Sequence, residues 1–356
     1  MMSFLAVSVA LAMGSSQMNQ VGQNTLTDGL LMLGGIQNPS GVAVQIRRDG
    51  LFLASSNLIP SETSSARGAD GKDYTVRVIT RDDITQLSLI RVVDWKEGAG
   101  RVYKVASEND VTTQKLVAWL PSGKVAGQLV STDRTGILQS SRRYVRLWEV
   151  RFESTAQKLG GAPVFTFDGR LAGMMNATLE PYSNQDRNEL TTQKIYLGPQ
   201  HFGPQGMTVG YALGPKVLNR VVKGFLNDDH TPLHPTVGIL FKLAEGGGVE
   251  ITSVTPGSAA ARAGLQVGDV LLKLGTGPVK DAFWLAARLF ESEIGEPLQF
   301  LMRRNGQLSS VKVIVESLSE ARSNRDTPPN KPEGGAKTPE LDQQSSTQPS
   351  RGCSTY

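Results

Sequence analysis

One stretch limits the fold of this chain more than any other: residues 252–279, which read TSVTPGSAAARAGLQVGDVLLKLGTGPV. Pro256 and Gly257 form a turn, and the alanines that follow predict a short helix with side chains small enough for close packing. Gly264 can end this helix with a positive φ angle. A Gly-Asp pair then turns the chain into the apolar strand VLLKL. Tight turns, a short helix and strands in this order predict a small α+β domain.

The sequence before this domain has a different pattern. From Gly41 to about Leu213 it consists of short β-type runs separated by Gly, Pro, Asp and Ser. GVAVQIRRDGLFLASSNLI, for example, predicts a strand, a turn and a second strand. Such spacing is typical of an all-β barrel or a pair of barrels. The first helical periodicity comes at GPKVLNRVVKGFL, where Val217, Val221 and Phe225 share a face and Pro215 suits the first turn.

Charge and composition exclude several classes of protein. The net charge is +4 over 356 residues and no basic stripe is present, so no nucleic-acid partner is indicated. The single cysteine, Cys353, excludes a disulfide framework and a cysteine-based zinc site within one chain. His230 and His234 have the spacing H-x-x-x-H, but a proline between them argues against a helix that holds both rings on one metal. We predict no metal and no cofactor.

The two ends of the sequence differ from its centre. The opening MMSFLAVSVALAMGSSQ is similar to the core and cleavage region of a secretory signal, although it lacks a positive first region. Its apolar run is too short to cross a bilayer, which takes about 20 residues. We predict a leader at residues 1–20, with a buried strand or frayed terminus as the alternative. Residues 317–356 are rich in Pro, Ser, Gln and charge, which predicts a disordered tail.

The stretch at 252–279 resembles the core of bacterial-type PDZ domains, V-x-P-x-S-P/A-A-x-x-A-G-L-x-x-G-D-V-I. PDZ domains bind peptide C-termini by adding the peptide to a sheet edge. The resemblance implies a PDZ domain at residues 236–316, with a carboxylate-binding loop at Thr236 to Ile239 and a groove between the next strand and the helix DAFWLAARLFE. The peptide-binding residues that it implies are Val237, Gly238, Ile239, Leu240, Phe241, Leu285, Ala286 and Leu289.

A β-rich region, then VGYALGPKVLNRVVKGFL, then a PDZ domain is similar to the layout of the HtrA/DegP family of serine proteases. SGVAVQIRRDGLFLASSNLI resembles the family's S-G-V-I-I-D-x-x-G-Y-I-L-T-N-N-H-V-V, and DGKDYTVRVITRDDITQLSLIRV resembles a second family motif that ends D-L-A-L-L-K-V. The resemblance covers residues 41–316. It implies a trypsin-like double β-barrel at residues 21–226, a linker at 227–235 and then the PDZ domain.

Each catalytic position that the resemblance assigns is altered. Asn57 stands where the family has its general-base histidine, Gln86 where it has the orienting aspartate, and Gly160 where it has the nucleophilic serine. A side-chain amide has no useful proton affinity near neutral pH, and glycine carries no nucleophile. Lys158 and Leu159 form the corresponding oxyanion loop, in which Lys158 replaces a glycine that allows an unusual backbone conformation.

Three functions compete at this point. The first is a catalytically inactive pseudoprotease in the periplasm or cell envelope, or secreted, whose PDZ groove binds C-termini or exposed β-segments of other proteins in scaffolding or protein quality control. The resemblance also implies a homotrimer or association with active HtrA proteases. The second is an active endopeptidase with an unusual site such as a Ser-Lys dyad, since no histidine precedes His201. The third is a structural envelope protein with a vestigial groove.

Overall fold

A computed structural model of the chain describes residues 28–34, 39–111, 115–138, 141, 143–152, 159–175, 179–181, 202–203 and 207–319. These residues form two β-barrels, a helix that packs against both, and a smaller α+β domain. The prediction of a mainly β chain with a double barrel and an α+β domain is confirmed. The predicted leader at 1–20 lies outside the described residues.

The first barrel consists of six antiparallel strands: β1 (Leu30–Leu33), β2 (Gly41–Arg47), β3 (Leu51–Ser55), β4 (Thr63–Gly68), β5 (Asp73–Asp82) and β6 (Leu87–Val92). Their order is β1-β2-β3-β6-β5-β4, and pairing of β1 with β4 closes the ring. Both faces of β3 are apolar, because successive side chains point to opposite faces and each face is buried in a different core. Phe52 packs in the barrel interior, whereas Leu51 and Leu53 pack in the core shared with the second barrel.

The sheet of the second barrel has eight strands, of which six form the closed ring: β7 (Lys115–Leu120), β8 (Gly123–Leu138), β9 (Arg143–Phe152), β10 (Pro163–Thr166), β11 (Leu171–Met175), β12 (Leu179–Pro181), β13 (Phe202–Gly203) and β14 (Met207–Leu213). The order β11-β10-β7-β8-β9-β14 is closed by the pairing of β11 with β14. Strand β12 pairs with β8, and β13 pairs with β14. Closure removes the exposed edges that open sheets present.

Helix α1 (Pro215–Phe225) has the bounds and face that the periodicity predicts. Pro215 lies in its first turn, and Val217, Val221 and Phe225 are buried in the core that the two barrels share. Arg220 is also buried, with 3% of its surface exposed, which the periodicity does not predict. Its guanidinium contacts residues of the α+β domain.

The α+β domain contains β15 (Pro235–Thr236), β16 (Ile239–Leu243), β17 (Val249–Val254), α2 (Ala259–Arg262), β18 (Val270–Leu274), β19 (Gly277–Pro278), α3 (Ala282–Glu291), β20 (Pro297–Arg304), β21 (Gln307–Ile314) and β22 (Glu316–Ser317). The main sheet has the order β16-β17-β18-β20-β21. Helix α2 begins at the N-cap Ser258, and Gly264 follows it with a φ of 82°, as the sequence predicts. Both helices pack on the sheet around Ile251, Leu271 and Phe300.

Two chain boundaries differ from the sequence-based expectations, which assign Pro235 to the linker and Ser317 to the tail, although both lie in strands. Ser317, which composition assigns to the disordered tail, is buried and pairs with Pro235 in the two-stranded sheet β15–β22. The small domain is therefore closed by pairing of its first and last residues, a long-range contact that composition does not encode. The rest of the predicted tail, beyond Ser319, lies outside the described residues. Within the described ranges, no helix has the length and apolar character needed to cross a membrane.

Candidate functional site

Asn57 and Gln86 lie on neighbouring turns at one end of the first barrel. Asn57 is exposed in the middle of a one-turn 3₁₀ helix, Ser56–Leu58, directly after β3. Gln86 precedes β6 with a φ of 58°, a conformation that few residues other than glycine adopt. The Ser56 amide donates a hydrogen bond of 2.8 Å to the carbonyl oxygen of Gln86. The two residues that the resemblance assigns to the histidine and aspartate positions are therefore held side by side.

The Gly160 loop of the second barrel lies against the same turn. A Cβ atom built on Gly161 would lie 2.6 Å from Cδ1 of Leu58 and 2.9 Å from Cβ of Ser55. Gly161 has a φ of 77° and its amide donates to the carbonyl oxygen of Met175. Close approach and positive φ both require glycine here. The three assigned catalytic positions are thus adjacent, whereas Lys158 lies outside the described residues and Leu159 is buried.

Among the described residues, the side chains at this cleft offer hydrogen bonds and no proton-accepting imidazole. The Gln86 amide donates to the carbonyl oxygen of Asp83 at 3.0 Å, and the hydroxyl groups of Ser56 and Ser88 lie 2.7 Å apart. The two described histidines are engaged elsewhere: Nδ1 of His230 bonds to the Phe225 carbonyl, and Nε2 of His234 bonds to Asp82. In the described ranges, no group of three His, Cys, Asp or Glu side chains is placed to hold a metal ion.

The α+β domain carries an apolar groove between β16 and α3. The groove has a volume of about 440 Å³. Among the described strands, β16 pairs only with β17, so its other edge faces the groove with free backbone groups. An edge strand beside an apolar helix can accept an extended peptide as an additional strand. The groove is lined by Arg143, Tyr144, Pro235, Thr236, Val237, Gly238, Ile239, Leu240, Phe241, Ala282, Phe283, Ala286, Leu289 and Phe290.

The loop at the closed end of the groove is fixed to the start of α2. Gly238 has a φ of 78°, and its carbonyl oxygen accepts a hydrogen bond of 2.8 Å from the Thr255 amide. The Val237 carbonyl accepts a bond of 2.9 Å from the amide of Ala260. The Gly238 amide itself donates to the hydroxyl of Thr236 at 3.3 Å. The loop that the resemblance assigns to carboxylate binding is therefore tied to the start of α2 by hydrogen bonds.

Seven of the eight peptide-binding residues named from the sequence line this groove, but Leu285 does not. Leu285 is fully buried in the domain core with Phe300 and Val313, whereas Ala286 and Leu289 face the groove. Consecutive helical residues point about 100° apart, and on this helix residue 286 faces the groove whereas residue 285 faces the core. The expectation for Leu285 is therefore wrong, since the helical sequence did not fix which face is turned inward.

Sequence reasoning missed several side chains that the structure brings to the groove. Phe283 and Phe290 lie on α3, and their spacing from Ala286 is the signal that could have found them. Tyr144 comes from β9 of the second barrel, and its ring centroid lies 4.8 Å from that of Phe283. Arg143 precedes it. No local pattern predicts these two, because they approach from a different domain. The groove is therefore built from both parts of the chain.

Comparisons with known proteins agree with this architecture. A family model described as "PDZ domain" matches residues 235–315. The periplasmic pH-dependent serine endoprotease DegQ of Escherichia coli (strain K12) is 21% identical over 288 residues, which cover 78% of this chain and 59% of that protein. The magnetosome formation protease MamE of Magnetospirillum gryphiswaldense is 34% identical over 110 residues, which cover 30% of this chain and 14% of that protein. The chain thus spans less than two thirds of these relatives.

Solved structures support the same fold. The structure titled "HtrA-type protease AlgW with decapeptide" has a TM-score of 0.53 and 14% sequence identity, and the match covers 83% of this chain and 96% of that one. A second AlgW structure, with a tripeptide, has a TM-score of 0.54 and 16% identity, and that match covers 83% of this chain and 94% of that one. At such identities the likeness concerns the fold alone. The chain is therefore HtrA-like: a double β-barrel precedes a PDZ domain, and most of its length is similar to trypsin-type serine proteases of this kind.

Proposed function

We propose that this protein is a catalytically inactive HtrA-like protein that binds peptides through its PDZ groove. The observation that carries the proposal is the free edge of β16 beside an apolar groove that ends in the fixed loop at Gly238. The ligands are C-termini or exposed β-segments of other proteins. The names of the periplasmic relatives support a role in the periplasm or cell envelope, in scaffolding or protein quality control.

The shape of the groove supports a preference for apolar ligands. Leu289, Phe290 and Val237 line the groove, so the last side chain of a bound peptide would enter an apolar pocket. Leu240 projects from β16 with 67% of its surface exposed, which leaves apolar surface for a further ligand residue. Main-chain pairing with β16 would supply affinity that does not depend on sequence, and the pocket would supply the selectivity.

The cleft between the barrels supports the absence of catalysis. A serine protease needs a base beside its nucleophile, and the adjacent positions here hold Asn57, Gln86 and Gly160. The competing function is an active endopeptidase with an unusual site, which is supported by the names of the relatives. Assembly into a homotrimer or with active HtrA proteases is part of our proposal and follows from the resemblance to that family.

Calorimetry on the full chain tests the binding function. Two peptides of identical sequence with an apolar last residue are compared, one with a free C-terminal carboxylate and one with an amide. A charge-assisted hydrogen bond contributes roughly 1.5–3 kcal/mol, so the amide should bind on the order of tenfold more weakly or worse. A third peptide that ends in aspartate controls for the apolar pocket. Equal affinity of the acid and amide forms would show that the groove does not recognise C-termini.

A further inference from the structure

The last turn of α3 is held by side chains from outside its own domain. Three successive residues, Phe290, Glu291 and Ser292, each contact such a side chain. The Arg220 guanidinium of α1 lies 5.1 Å from the centre of the Phe290 ring, and its Nη1 donates to the Ser292 carbonyl oxygen at 3.3 Å. Arg146 of β9 forms an ion pair with the Glu291 carboxylate. Both arginines therefore contact the end of α3 that contributes Phe290 to the groove.

A second contact reaches Phe290 from the segment before the PDZ domain. The ring of His234 stacks on Phe290 with a centroid distance of 6.0 Å and an interplanar angle of 20°. Nε2 of His234 lies 2.9 Å from Oδ1 of Asp82 at the end of β5, and both side chains are buried. The segment that composition describes as a polar linker thus carries a buried hydrogen bond between the first barrel and the residue that packs on the groove wall.

Burial makes these contacts sensitive to the loss of one partner. Burial alone would raise the pKa of the Asp82 carboxyl, but His234 and the Thr85 hydroxyl outweigh this effect and hold it below its ordinary value. Burial lowers the pKa of Arg220 to about 10, which leaves the guanidinium charged at neutral pH, with Glu293, Glu291 and Asp82 as the nearby anions. Removing one partner of a buried pair leaves the other charge uncompensated. Loss of either Arg220 or His234 should therefore disturb the packing around Phe290.

We propose that Arg220 and His234 are positioning residues for the peptide groove: they fix Phe290, and with it the pocket wall, without touching the peptide. The inference rests on the proposed function, since it concerns the affinity of that same groove. Phe290 lines the groove, and its ring also contacts the Arg220 guanidinium and the His234 ring. Because a packed wall has discrete arrangements, loss of either support should shift it and change the pocket that receives the last ligand residue.

The test measures binding of the acid and amide peptides to the full chain by calorimetry. Arg220→Met and His234→Gln should each weaken binding of the acid peptide about tenfold, a size typical of coupling between sites. Arg220→Lys keeps a cation over Phe290 and should recover part of the affinity. If Arg220 contributed only to stability, Arg220→Lys and Arg220→Met variants with equal melting temperatures would bind the acid peptide equally. A higher affinity of the lysine variant therefore indicates a positioning role.

Arg304→Met is the matched control. Arg304 lies within the PDZ domain and, like Arg220, contacts buried groups: it pairs with the carboxylate of Asp269 at 2.6 Å. It lies beside the end of α2 and not at the groove. It should lower the melting temperature and leave peptide affinity unchanged. If the wild type binds the acid peptide and the Arg220 and His234 variants bind it within twofold, the positioning role is wrong and the proposed function stands. If the wild type binds neither peptide, both fail.

Discussion

Replacing Gly238 with alanine should weaken peptide binding far more than replacing Gly264, although both glycines have nearly the same backbone conformation. Their φ angles are 78° and 82°. A non-glycine residue in this region costs roughly 1–2 kcal/mol, so backbone strain alone should destabilise both variants equally. The comparison therefore removes the contribution of φ and leaves the effect of the surroundings at each position.

The surroundings of the two glycines differ sharply. A Cβ atom on Gly238 would lie 2.6 Å from Oγ of Ser258 and closer still to its Cβ, whereas a Cβ on Gly264 meets nothing within 4 Å. Ser258 cannot move aside easily, since it is buried and its hydroxyl caps α2. Overpacking of this kind adds about 1–3 kcal/mol. The expected total is about 2–5 kcal/mol for Gly238→Ala and about 1–2 kcal/mol for Gly264→Ala.

Urea unfolding and calorimetry with the acid and amide peptides measure both quantities on the full chain. The overlap with Ser258 should displace the loop at Val237 to Ile239, whose amide groups we assign to the ligand carboxylate. Gly238→Ala should therefore lose the preference for the acid peptide, with a fall in affinity of about tenfold or more. Gly264→Ala should keep both the preference for the acid peptide and the affinity for it. Binding to Gly238→Ala with unchanged affinity would refute the assignment of this loop as the carboxylate site.

Three further outcomes are expected. The purified protein should not hydrolyse a denatured substrate or react with a serine-directed fluorophosphonate, because no imidazole lies beside a nucleophile at the assigned positions; turnover above buffer would overturn this. Gly160→Ser alone should stay inactive, since the triad acts as a unit and Asn57 supplies no base; strong cleavage would show that Asn57 and Gln86 are wrongly assigned. Asp82→Asn should lower stability most near neutral pH. The folded-state pKa of Asp82 lies below its ordinary value of 3.8, so its contribution is complete above about pH 4 and is lost as the pH falls further. A stability difference from wild type that does not shrink on acidification would contradict this.

Much of the fold could be predicted because its signals are local. The strands β2 and β3, the turn between them and the helix α1 follow from alternation, from an Arg-Asp-Gly turn and from the spacing of Val217, Val221 and Phe225. The α2 helix and its glycine end follow from the run at 252–279. In each case the information lies within a few residues of the feature, and backbone preference and burial favour the same structure.

The groove could be predicted only in part, because packing and contacts between distant residues decide the rest of it. Its loop and edge strand lie within a recognisable local pattern, so Val237 to Phe241 could be named. Its helix face could not, since residues 285 and 286 are both apolar and only packing decides which is buried. The contributions of Tyr144 and of the Asp82–His234 pair depend on contacts between residues distant in the sequence, and no periodicity carries such information.

These long-range contacts give the barrels a physical role that does not depend on catalysis. Arg220, Arg146 and the Asp82–His234 pair reach the end of α3 from the barrel side, while Tyr144 forms an outer wall of the groove. A PDZ domain supported at both ends of its groove helix has less freedom to adjust to a ligand, which reduces the ordering cost of binding. On our proposal, a barrel pair with Asn57, Gln86 and Gly160 in place of a triad is retained because it holds the peptide site in shape. Substitutions at the cleft should then leave binding unchanged, whereas substitutions at the barrel contacts of α3 should not.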